Sequence, residues 1–101
     1  MDTFEHQSEK FGLINVGTLA GVQTALGHLG WDAGKIDGLD GPNTQASVKA
    51  FQEAAGVGVD GKVGPVTRKA LMAALEHAAS PEGTVEGALT AAADMVKGLA
   101  G

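Results

Sequence analysis

The chain has 101 residues, enough for one small domain, and no apolar run approaches the ~20 residues that a membrane-spanning helix needs. Hydrophobic residues make up 44% and charged residues 19% of the sequence, which is typical of globular proteins. The net charge of −5 argues against a nucleic-acid groove and a polybasic membrane patch, since both need a positive face. Because cysteine is absent, disulfides, thiol chemistry and cysteine-ligated zinc are excluded.

Residues 1–17 form an extension that is too short to fold alone. Its apolar residues predict packing on the rest of the chain or on a partner: Phe4, Phe11, Leu13 and Ile14. No basic stretch is followed by an apolar run, so we expect no secretory signal.

A first helix is predicted next, because four apolar residues recur at the spacing of one helix face: Leu19, Val22, Leu26 and Leu29. Gly30 is suited to end this helix in a left-handed conformation. Trp31, the single tryptophan, follows directly.

A nine-residue segment then occurs twice, displaced by 23 residues. Residues 36–44 read IDGLDGPNT and residues 59–67 read VDGKVGPVT. Asp-Gly favours a tight turn, and Gly-Pro places proline in the first turn of a helix. Each copy therefore predicts an Asp-Gly loop followed by a helix, the first stopping at Gly56 and the second near Ser80 and Pro81.

A fourth amphipathic helix is predicted beyond Pro81. Its apolar stripe contains Val85, Leu89, Ala92, Met95, Val96 and Leu99. Such a stripe docks on its own domain or on a partner, and the sequence favours neither. The predicted fold is all-α: a compact three-helix bundle with two Asp-Gly loops and a fourth, C-terminal helix.

The central part of the chain resembles the peptidoglycan-binding domain family. The residues that carry the resemblance are Val22-Gln23, Leu26, Leu29-Gly30-Trp31, Ile36-Asp37-Gly38, Gly41-Pro42, Thr44, Val48, Phe51-Gln52, Asp60-Gly61, Val63-Gly64, Thr67 and Leu71. The resemblance covers residues 18–77 as one module, between the extension 1–17 and the tail 78–101. It implies a three-helix bundle that attaches proteins to bacterial cell walls and usually accompanies amidases, muramidases, carboxypeptidases or transpeptidases.

The resemblance leads us to expect wall glycan or stem peptide in a shallow groove beside the Asp-Gly loops. Trp31 would offer an aromatic face. Asp37, Asn43 and Thr44 would donate or accept hydrogen bonds, with Gln52 behind them. Structural interpretations stay open beside these: turn chemistry for the loops, core packing for Trp31 and bonding to loop backbone for Gln52.

No cofactor, metal site or catalytic centre is predicted. The spacing around Gly38 and Gly41 does not fit a calcium-binding EF-hand loop, and the three histidines lack the spacing of zinc ligands. Carboxylate pairs such as Glu53 and Glu76 lack the cleft of a glycosidase, and no serine lies in a nucleophile elbow. We therefore expect a protein that is not an enzyme.

The sequence is compatible with two functions from different classes. In the first, the protein binds bacterial peptidoglycan and targets a protein or particle to the wall, with a cell-wall hydrolase or a virion or injection-machine protein as a further partner. Without a signal peptide, it would reach the wall on a phage, through an injection apparatus or by another non-classical route, or it would be a fragment of a larger hydrolase. In the second, the same fold is a structural adaptor without wall binding, and the tails mediate protein contacts.

Overall fold

The computed structural model describes residues 4–31, 36, 38–39, 41–80 and 83–100. In chain order, the elements are a hairpin of strands β1 (Glu5–Ser8) and β2 (Gly12–Asn15), then helices α1 (Leu19–His28), α2 (Pro42–Ala55), α3 (Pro65–Ala79) and α4 (Val85–Ala100). Four helices within the described residues agree with the predicted helical fold. The hairpin was not predicted and corrects the all-α expectation.

The two strands pair antiparallel, with Glu5 opposite Asn15 and Ser8 opposite Gly12. Their inward-facing residues are the cross-strand partners His6 and Ile14, which are both buried. Each strand has four residues, and a two-stranded hairpin of this size is at best marginally stable by itself. Packing on the helices must therefore supply its stability.

The hairpin packs on α1 through β2 and on α3 through β1. The Phe11 ring stacks on His28 of α1, with a centroid distance of 4.3 Å, and lies 6.2 Å from the His6 ring. Lys10 Nζ donates a 2.9 Å hydrogen bond to the carbonyl of Ala78, near the C-terminus of α3. A cation is favourable there, because the last carbonyls of a helix lack intrahelical donors. The described part of the extension thus folds against the module.

Helix α1 begins and ends at local signals. The Thr18 hydroxyl accepts a 3.0 Å hydrogen bond from the amide nitrogen of Gly21, which caps the N-terminus. At the other end, Gly30 has a φ of +99°, and the amide nitrogen of Trp31 donates to the carbonyl of Leu26 at 2.9 Å. This is a Schellman motif, and it confirms that the first helix stops at Gly30.

The repeat positions begin and end α2 and α3 as predicted. Pro42 and Pro65 occupy the first positions of the two helices, directly after Gly41 and Gly64. Gly56, with a φ of +75°, ends α2, and α3 ends at Ser80, directly before a proline in the sequence. Local turn chemistry therefore determines where these helices lie along the chain.

Helix α4 packs mainly on α3 and also on α2, so it belongs to the bundle. Ala88 and Ala92 are both 0% exposed and lie one helical turn apart, which lets the two helices approach closely. Leu89 and Val96 are half-buried against the core. The described stripe residues from Leu89 to Val96 therefore dock on their own domain, whereas Val85 is 40% exposed.

The core draws its apolar side chains from the hairpin, its exit and all four helices. These residues are Ile14, Val16, Val22, Ala25, Leu26, Leu29, Val48, Phe51, Ala55, Ala70, Leu71, Ala74, Leu75, Ala78, Ala88 and Ala92. Among the described residues, none of the helices combines the length and the hydropathy of a membrane span.

Candidate ligand-binding site

A buried glutamine holds the described part of the first Asp-Gly loop. Oε1 of Gln23, in α1, accepts a 3.0 Å hydrogen bond from the amide nitrogen of Gly38. Its Nε2 donates to the carbonyl of Leu39 at 3.1 Å and to the hydroxyl of Thr44 at 2.9 Å. Gln23 is 2% exposed, so these bonds replace the water that its amide gives up on folding.

Gln52, near the end of α2, holds the second loop in the same way. Its Oε1 accepts a 3.0 Å hydrogen bond from the amide nitrogen of Gly61. Its Nε2 donates to the carbonyl of Lys62 at 2.8 Å and to the hydroxyl of Thr67 at 3.2 Å. Asp60 adds two contacts: its amide nitrogen donates to Oε1 at 3.1 Å, and its Oδ1 accepts from Nε2 at 3.0 Å.

The sequence repeat is therefore a repeat of hydrogen bonds. Gly38, Leu39 and Thr44 are displaced by 23 residues from Gly61, Lys62 and Thr67. The glutamines do not share that displacement: Gln23 lies 15 residues before its glycine, whereas Gln52 lies 9 residues before its own. Gln23 is not among the residues expected at the site, because aligning the loops does not align the glutamines. Its presence in the family pattern was the signal that could have found it.

These networks show where two of the expected site residues lie. Thr44 is 3% exposed and Gln52 is 1% exposed, and both direct polar atoms into the loop networks. Both side chains therefore hold the loops from within.

The other expected site residues lie around the first loop. Trp31 is half-buried, and its ring meets Phe51 edge to face with a centroid distance of 5.9 Å. Trp31 thus packs on the core and keeps part of its surface exposed. Asn43 is exposed in the first turn of α2, and Asp37 lies outside the described residues.

An open groove of about 370 Å³ lies beside the second Asp-Gly loop, a size in the range of small-ligand sites. It is lined by Gly56, Val57, Gly58, Asp60, Lys62, Gly64, Pro65, Val66, Thr67 and Val96. Val96 comes from α4, and the other lining residues come from the α2–α3 loop and its flanking helix ends. Four of the five expected site residues, Trp31, Asp37, Asn43 and Thr44, precede this loop in the chain, and no local signal connects Val96 with it.

A second side chain, Arg68 of α3, also holds the second loop. Arg68 Nε donates a 2.9 Å hydrogen bond to the carbonyl of Val16, and the Arg68 guanidinium also donates to the carbonyl of Val63. One side chain thereby links the end of the loop to the exit of the hairpin. Arg68 and Gln52 thus fix the loop backbone between Asp60 and Val63.

Asp60 brings a fixed negative charge to the groove. Its Oδ1 accepts a 2.9 Å hydrogen bond from the backbone nitrogen of Lys62. This bond contributes most to holding the pKa of Asp60 below its ordinary value, and the bond from Gln52 contributes next. Both bonds stabilise the charged carboxylate. The groove therefore carries a carboxylate at neutral pH, with the oppositely charged Lys62 two residues away. Among the described residues, no group of three or more metal-ligating side chains is present.

Comparison with known proteins gives the class of this domain. The sequence model of a family described as "Putative peptidoglycan binding domain" matches residues 19–71, just over half of the chain. The chain belongs to this family. The matched segment contains both Asp-Gly loops and both glutamines, whereas the hairpin and α4 lie outside it.

A curated relative is the "Putative OxPP cycle protein OpcA" of Synechocystis sp.. It is 42% identical over 57 residues, which make up 56% of this chain and 12% of the relative. The chain thus spans about an eighth of that protein's length. No solved structure gives a significant match.

Proposed function

We propose that this protein is a non-catalytic module that binds bacterial peptidoglycan and targets a protein or particle to the wall. The observation that carries the proposal is the family match over residues 19–71. Two features of the structure support it. The loops in the matched segment are held from inside by buried glutamines, and beside the second loop lies an open groove.

The ligand would contact the exposed faces of the loops. Trp31 and Asn43 would contribute at the first loop, together with Asp37, and the groove would contribute at the second loop. Thr44 and Gln52 would act indirectly, by fixing the loop backbone. We expect modest affinity, because a shallow site on so small a domain buries little surface.

The test is co-sedimentation of the protein with purified, insoluble bacterial sacculi at low and high salt. Trp31→Phe is the informative variant, because it removes the indole and keeps an aromatic ring against Phe51. We expect binding that survives high salt, since the acidic protein does not depend on a basic face for attraction. A protein that stays in the supernatant at both salt concentrations would contradict wall binding.

A second candidate function is that of a structural adaptor, for example in a virion or an injection apparatus. The observation that favours it is that the hairpin and α4 lie outside the segment that matches the family, so their surfaces have no role in the proposed wall binding of that segment. The surfaces of the hairpin and α4, outside the matched segment, would then contact other proteins. Under this proposal sacculus binding is absent, and charge-reversal variants on the exposed face of α4, such as Glu86→Lys and Asp94→Lys, disrupt the assembly.

A further inference from the structure

We propose that the groove beside the second Asp-Gly loop binds the stem peptide of peptidoglycan, and that α4 completes the binding site. This inference rests on the proposed wall binding and specifies which part of the wall is recognised. Three properties of the groove support it: its apolar walls, its pair of opposite charges and the contribution of Val96.

The lining favours a peptide with small side chains over a sugar. Val57, Pro65, Val66 and Val96 form apolar walls, and Gly56, Gly58 and Gly64 leave space between them. The described residues that line the groove include no aromatic ring, whereas sugar rings are commonly held by stacking on aromatic faces. Alanine methyl groups, which are frequent in stem peptides, match walls of this kind.

The charges favour a ligand that has both an amine and a carboxylate. The Asp60 carboxylate is held in place by the side chain of Gln52 and the backbone of Lys62. Lys62 is exposed, and its long side chain can reach over a bound anion. A stem peptide offers both partners: the side-chain amine of its diamino acid for Asp60, and its terminal carboxylate for Lys62.

Helix α4 makes this groove different from one formed by the matched segment alone. Val96 lines the groove but lies outside residues 19–71. The helix is fixed on α3 by Ala88 and Ala92, so Val96 presents a wall of defined position. We therefore assign to Val96 a role in selecting the side chains that the groove accepts.

The experiment is an NMR titration of the isotope-labelled full chain with soluble stem tetrapeptide released from sacculi by an amidase. The same peptide acetylated only on the side-chain amine of its diamino acid, and peptide-free glycan strands, serve as comparison ligands. We expect the stem peptide to shift the amide signals of Asp60, Lys62 and Val96. Acetylated peptide should bind about two- to fivefold more weakly, the effect of losing one exposed ion pair.

Matched variants test whether the charges in the groove, and not the overall charge of the protein, account for binding. Asp60→Asn keeps the oxygen that accepts from Gln52 and Lys62, and removes the charge. Asp60→Asn and Lys62→Gln should each weaken stem-peptide binding by about two- to fivefold. Glu53→Gln and Lys69→Gln, which change the same charges away from the groove lining, should bind as the wild type does.

Val96→Ala should weaken binding, whereas Val85→Ala, in the exposed first turn of α4, should not. Shifts produced by glycan strands and not by stem peptide would overturn this inference and leave wall binding intact. Wild-type affinity for the stem peptide in both Asp60→Asn and Lys62→Gln would also overturn this inference and leave wall binding intact. A wild-type chain that fails to bind intact sacculi would overturn both this inference and the proposed function.

Discussion

Oε1 of Gln52 lies 3.0 Å from the amide nitrogen of Gly61, and this contact joins the end of α2 to the turn that precedes α3. The same side chain donates to the carbonyl of Lys62 and the hydroxyl of Thr67. A single buried amide thus fixes the loop that forms the floor of the candidate groove.

We expect Gln52→Leu to lower the free energy of unfolding by about 2–4 kcal/mol, because it leaves several polar groups of the loop without their partner. Urea unfolding measures this loss. Gln7→Leu, the same chemical change at an exposed strand position, should alter stability by less than about 0.5 kcal/mol. Equal effects of the two substitutions would show that the network around Gln52 does not stabilise the fold.

The exit of the hairpin packs tightly against α1 at Gly21. A Cβ atom on Gly21 would lie 1.7 Å from the backbone oxygen of Asn15, a contact that only a backbone shift can relieve. Gly21→Ala should therefore cost about 1–3 kcal/mol. Gly27→Ala, in the same helix with nothing within 4 Å, should instead stabilise by about 0.5–1 kcal/mol. Thermal unfolding of the two variants should shift in opposite directions, and a shift in the same direction would contradict this view of the contact.

Trp31 is expected to contribute to stability as well as to binding. Trp31→Ala removes the edge-to-face contact with Phe51 and should cost about 2 kcal/mol, since the ring is half-buried. Trp31→Phe should retain most of that stability. Weaker sacculus binding by the folded Trp31→Phe variant would support contact between the indole and the ligand. Loss of binding in Trp31→Ala alone would reflect loss of packing.

His6 makes the stability of the hairpin sensitive to pH. Burial lowers the pKa of His6 below its ordinary value of 6.5; Glu76 opposes this shift, and His28 adds to it. The unfolded chain then binds a proton more readily than the folded chain. The contribution of neutral His6 is fully present above about pH 6.5 and is lost as pH falls below that value through the lower, folded-state pKa.

Urea unfolding at about pH 7.5 and about pH 5 should therefore show a smaller loss of stability on acidification for His6→Gln than for the wild type. The variant starts from a lower stability, because it loses the ring packing near Phe11 and the 3.0 Å contact between His6 Nε2 and Ser8 Oγ. Parallel pH dependences of the two proteins would contradict the assignment to His6.

Much of the helical part of this fold was predictable because its signals are local. Gly30, Gly56, Pro42 and Pro65 act through the conformations of their own residues, so the helix ends lie where the sequence places them. The hairpin was not predictable in the same way. Each strand contributes one buried residue to the interior, and four-residue strands are stable only when helices cover them.

The candidate site was predictable only in part. The sequence pointed to the Asp-Gly loops, and the structure places a groove beside the second of them. The sequence did not show that Thr44 and Gln52 are buried and bonded to the loops, because burial depends on how the helices pack.

The family, the repeat of the two loops and the starts and ends of their helices follow from the sequence alone, because each depends on residues that are close along the chain. Three further features depend on the tertiary structure. They are the docking of the hairpin on the helices, the binding of each Asp-Gly loop by a buried glutamine, and the contribution of Val96 to the groove. These depend on contacts between distant residues, such as Arg68 with Val16 and Lys10 with Ala78. Such contacts form only when the chain as a whole buries its core, because no local pattern encodes the distance between them.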